Sequence, residues 1–125
     1  MKRLATTLAL VGALALPASA SSYSHFRTPS HNIYCAYFKS GGPGPFLRCD
    51  VESISQAGFV IYRHGKAKRL LISDSVYSPH AKTLKYGHSH RFGRFTCKSR
   101  KSGLTCKNRR NGHGFKLSRE HQKLF

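Results

Sequence analysis

The sequence predicts an all-β fold, a small antiparallel domain stapled by disulfides. Three observations carry the prediction. Short runs of β-branched, aromatic and Cys residues recur between Gly, Pro, Asn and Ser turns, with a turn about every ten residues. The chain of 125 residues holds four cysteines, an even number. No heptad, internal repeat or sustained helical periodicity interrupts the pattern. Hairpins packed as a compact sandwich or barrel-like body are expected, closed by one short helical turn at the C-terminus.

The first twenty residues read as a signal peptide. Lys2 and Arg3 precede an apolar run from Leu4 to Leu16, and Pro17 and Ala18-Ser19-Ala20 follow as helix breaker and cleavage site. The apolar run is shorter than the ~20 residues that span a bilayer, and no later segment approaches that length. The division expected is residues 1–20 as signal peptide and residues 21–125 as a single secreted or periplasmic β domain.

"SSYSHFRTPSHN" is polar and turn-rich, and Pro29 argues against a regular element there. "NIYCAYF" (Asn32 to Phe38) has strand composition, with Ile33, Cys35 and Tyr37 on one face. "KSGGPGP" is a loop and "FLRCDVESI" the returning strand. A second hairpin follows, from Phe59–Tyr62 through a His64-Gly65-Lys66 turn to Leu70–Ile72. "VYSPHAKT" is a loop, after which one strand runs to Tyr86 and another passes through Phe95 and Cys97. The turn Lys101-Ser102-Gly103 leads into "LTCKN", and Gly112-His113-Gly114-Phe115 reads as a loop. Ser118 is placed to cap the final helical turn.

Cys35, Cys49, Cys97 and Cys106 imply two disulfides in an oxidising compartment. Of three connectivities, spacing favours Cys35–Cys49 and Cys97–Cys106, each closing a strand–turn–strand segment. Each closure restrains the unfolded chain by ~2–3 kcal/mol in the chain-entropy description. A zinc site would want closer Cys spacing or thiolates in a reducing cell.

Charge is the strongest compositional signal. The chain carries a formal +18, and removal of Lys2 and Arg3 leaves +16. From Arg63 onward, 17 Lys and Arg residues face only Asp74 and Glu120. Such a field attracts polyanions with steep salt dependence. The candidate partners are anionic envelope polymers, anionic lipids and extracellular nucleic acid. The candidate contact residues are Lys66, Lys68, Arg69, Arg91, Arg94, Lys98, Arg100, Lys101, Lys107, Arg109 and Arg110. A bland alternative is a solubility adaptation with no ligand. Tyr86, Phe92, Phe95 and Phe115 interleave with these bases, as in single-strand binders, but a chain without Trp needs them in its core.

Catalytic readings are weaker. His88 and His90 would share a strand face as two metal ligands, but no third ligand is evident and arginines surround them. His31, His113 and Lys116 could serve a metal-free ribonuclease as acid, base and charge stabiliser, though spacing does not select them among eight histidines. A Ser/His/Asp hydrolase has only Asp50 and Asp74 to draw on and no Gly-x-Ser-x-Gly elbow. "GGPGP" is no phosphate cradle, so no cofactor is implied. The leading expectation is a non-enzymatic, cationic binding module for anionic envelope components or polyanions. The alternatives are the small ribonuclease and a cationic antimicrobial or host-directed protein, the last disfavoured by the lack of an amphipathic helix.

The motifs "FRTPSHNIYCAY", "LRCDV", "LKYG", "FTCKSRKSGLTCKN" and "GHGFKLSRE" occur in this order. Together they resemble a family of small bacterial secreted domains of unknown function. The resemblance runs from about Phe26 to the C-terminus. It implies export, a β-rich fold and pairing of neighbouring cysteines, and carries no catalytic residue or cofactor. Two departures stand out. A middle cysteine pair is absent between Cys49 and Cys97, and His31 stands where relatives carry glycine.

Overall fold

Period-two alternation of apolar and polar side chains sorts this chain into two sheets facing one core. The computed structural model describes residues 24–40 and 44–125, so the expected signal peptide over 1–20 lies outside the described residues. The first sheet uses β1 (His25–Arg27), β2 (Ile33–Phe38), β3 (Phe46–Val51), β4 (Ala57–Ile61), β5 (Lys68–Leu71) and β6 (Lys82–Thr83). The second uses β7 (Ser89–Phe92), β8 (Phe95–Arg100), β9 (Gly103–Asn108), β10 (Gly114–Leu117) and β11 (Gln122–Leu124). Their spatial orders are β5-β4-β3-β2-β1-β6 and β11-β10-β9-β8-β7, so the first half of the chain forms one layer and the second half the other. Pairing is antiparallel throughout except where β6 runs parallel to β1.

The layers meet through aromatic rings. Phe26 of β1 stacks on Phe92 of β7 at 5.1 Å, and Phe59 of β4 meets Phe115 of β10 edge-on at 6.5 Å. Leu47, Ile61, Phe95, Leu104 and Leu117 complete the fully buried core. Both disulfides form as expected, Cys35–Cys49 and Cys97–Cys106. Each joins residues directly opposed in a hairpin, β2 against β3 and β8 against β9.

The outer face of the first sheet is covered. Tyr34 and Ala36 pack against Val76 and Ala81 from the expected loop. Beside them Arg48 donates to Asp50 through Nε (2.9 Å) and Nη2 (3.0 Å), and through Nη1 to Asp74 (3.0 Å). The Asp50 carboxylate also accepts from the backbone N–H of Val76 at 3.1 Å. Two of the four acids are thereby held by one arginine.

Three expectations are corrected. The segment read as irregular because of Pro29 holds β1, since Pro29 falls beyond Arg27 and removes no ladder donor. The strand expected to reach Tyr86 is the two-residue β6, and β7 begins only at Ser89. The C-terminus forms no helical turn. Phe115, Leu117 and Leu124 alternate with Lys116 and Lys123, and burying the apolar set outweighs a local cap. Ser118 does cap, accepting at Oγ from the His121 N–H (3.1 Å), but it closes the turn between β10 and β11.

The glycines of Gly112-His113-Gly114 do different jobs. Gly112 has φ +79 in the turn after β9. Gly114 belongs to β10, not to a loop, and a Cβ there would collide with the Cys106 carbonyl and Lys107.

Candidate functional site

In β8, Phe95, Cys97 and Ser99 face the core, so Thr96, Lys98 and Arg100 face outward. Neighbouring strands follow the same parity. Register then decides what lies beside what. One row across the sheet reads Ser89, Lys98, Thr105, Lys116, Lys123. The next reads Arg91, Thr96, Lys107, Gly114. Over β7 to β10, cations and uncharged residues therefore alternate along each row, while Lys116 stands beside Lys123 of β11 and Lys98 and Arg100 follow one another along β8. Strand spacing of about 4.8 Å and a two-residue rise of about 6.8 Å put diagonal cations about 8 Å apart at their backbones.

The centre of this face is concave, a hollow of about 320 Å³ lined by Lys98, Arg100, Lys107 and Lys116 together with Ser89, Thr96 and Thr105. Among the described residues the ion pairs are Arg48–Asp50 and Arg48–Asp74, both on the other sheet, so none of these cations is paired with a carboxylate. The Thr96 Oγ1 is buried without a hydrogen-bond partner.

The eleven expected contact residues divide by place. Arg91, Lys98, Arg100 and Lys107 stand on this face. Arg94, Arg109 and Arg110 lie in the turns at one end of the sheet, and Lys101 in the turn at the other. There, local desolvation and then repulsion from Arg110 and Arg63 push the Arg94 pKa down, with Tyr37 opposing. Arg109 donates to the Gly93 carbonyl. Lys66, Lys68 and Arg69 sit on or beside the edge strand β5 of the first sheet, where the Arg69 guanidinium lies 5.6 Å from the Phe59 ring. The structure thus brings four of the eleven onto one face. Sequence reasoning missed two that join them as contact residues, Lys116 and Lys123. Their signal was the alternation with Phe115, Leu117 and Leu124, obscured by reading a loop and a helical turn.

The ribonuclease trio is not brought together. His31 borders a hollow with Gly103 and Leu104 at one end of β9, whereas the His113 carbonyl accepts from Asn108 at the other. Strand rise over β9 separates those ends by roughly 15 Å. His88 is exposed before β7, and His90 packs its ring on Phe92 at 4.7 Å, where burial lowers its pKa. No group of three metal-ligating side chains occurs among the described residues. Phe92, Phe95 and Phe115 are in the core, as the shortage of other large apolar residues requires, whereas Tyr86, expected there with them, is exposed.

A family model described as a family of unknown function (DUF6636) matches residues 48–125. The chain belongs to this family. The match takes in all five strands of the basic sheet and begins at Arg48, within "LRCDV", so the opening motif "FRTPSHNIYCAY" lies before it. No curated protein and no solved structure matches the chain. In this family member, no helix among the described residues is long and apolar enough to cross a membrane.

Proposed function

We propose that this family member is an exported, non-enzymatic binding module whose second sheet takes up anionic polymers on its outer face. One observation carries the reading. Arg91, Lys98, Arg100, Lys107, Lys116 and Lys123 project from one sheet face with hydroxyls and a glycine between them and no carboxylate among them. A solubility adaptation would scatter its bases and would not need a hollow among them. Two disulfides suit an oxidising compartment. The separation of His31 from His113, and the capture of Asp50 and Asp74 by Arg48, leave acid–base chemistry without assembled groups.

Position can be separated from charge by two variants of equal net charge. One carries Lys98→Glu, Lys107→Glu and Lys116→Glu, and the other Lys66→Glu, Lys68→Glu and Lys101→Glu. On an anionic matrix the face variant should elute at clearly lower salt than the control, with a salt slope reduced by about three counterions. Elution of both at the same salt would overturn the assignment.

A further inference from the structure

We propose that the basic face recognises a repeating phosphodiester polymer through its phosphates alone, with no contribution from aromatic bases. The inference rests on the binding reading above and names the ligand class. Two features of the hollow lead to it. None of the side chains lining it is aromatic, because Phe92, Phe95 and Phe115 point into the core. Phe125, beside Gly114 at the rim, is half-buried, and its backbone N–H and carbonyl pair with Gly114. A single-strand binder instead offers stacking platforms between its cations.

The second feature is the alternation of cation and hydroxyl. A phosphate diester presents two unesterified oxygens that share one charge. An ammonium on one strand and a hydroxyl on the next can donate to both at once. Thr105 stands directly between Lys98 and Lys116, and the exposed Ser89 lies beside Lys98. Cations about 8 Å apart on a diagonal suit successive phosphates of an extended polyol- or sugar-phosphate chain.

The test compares two probes of equal length at one salt concentration, an abasic deoxyribose-phosphate oligomer and oligothymidylate. Equal affinity for both is expected. Thr105→Val keeps the β-branched shape and should weaken both probes by about three- to tenfold, with unchanged circular dichroism. Tighter binding of oligothymidylate by about tenfold or more would overturn the base-free inference while leaving the basic face standing. Unaltered affinity in Thr105→Val would overturn the cation–hydroxyl pairing. Binding of both probes that survives Lys98→Glu, Lys107→Glu and Lys116→Glu would instead overturn the underlying reading of the face.

Discussion

Asn108, fully buried at the end of β9, donates its side-chain amide to the Arg63 carbonyl at 3.0 Å, across the gap between the two sheets. The same amide reaches the Tyr62 carbonyl at 3.3 Å, and Oδ1 accepts from the Arg110 N–H at 2.9 Å. One side chain therefore satisfies three backbone groups and ties the basic sheet to the β4–β5 connection. Asn108→Leu should cost about 1–3 kcal/mol, because it removes three part-buried hydrogen bonds, of whose acceptors the Arg63 carbonyl keeps the Asn111 side-chain amide at 3.4 Å. A lower urea midpoint with an unchanged slope would show it.

Arg48 and Asp50 are a second internal polar link. Their side chains are only 11% and 7% exposed, whereas Asp74 is 75% exposed. Arg48→Met should destabilise by about 3 kcal/mol, since it strands the Asp50 carboxylate beneath the loop that carries Val76. Asp74→Asn should cost under about 1 kcal/mol, as exposed pairs do. Equal losses in the two variants, measured by denaturation, would contradict this ranking.

His31 occupies a left-handed position, φ +61, that favours glycine. The tight turn is kept, with the His31 N–H donating to the Thr28 carbonyl at 2.9 Å. His31→Gly should raise stability by about 0.5–1 kcal/mol, and His31→Val should lower it by more than that. Thermal melts of the pair settle the sign.

His90 makes stability pH-dependent. Burial beside Phe92 lowers its folded-state pKa from the ordinary 6.5, so the unfolded chain binds the proton first as pH falls. Stability is therefore greatest above about pH 6.5 and declines as the pH drops toward the folded-state value. His90→Gln should lose less stability than the parent between about pH 7.5 and about pH 5.5. Urea midpoints at the two pH values provide the comparison.

The all-β class, both disulfides and the core positions of Phe92, Phe95 and Phe115 were legible in the residues themselves. Alternation around Cys35, Cys49, Cys97 and Cys106 places each cysteine on an inward face, and nearest-neighbour hairpins bring the partners opposite. These are local properties, carried by spacing of a few residues along the chain. β1 and β11 were not legible, because strands of three residues owe their conformation to the partner they pair with.

The candidate site divides in the same way. The sequence by itself determined the charge: a basic second half in which Asp74 and Glu120 are the only acids. Only the tertiary structure decided which bases stand together. Lys98 and Lys116 are neighbours across Thr105 because β8, β9 and β10 pair in one register, and a slip of one residue would turn either lysine inward. Net charge is a sum over residues and survives any arrangement. A binding face is a product of register, which the chain acquires when Phe95, Leu104 and Phe115 are buried together.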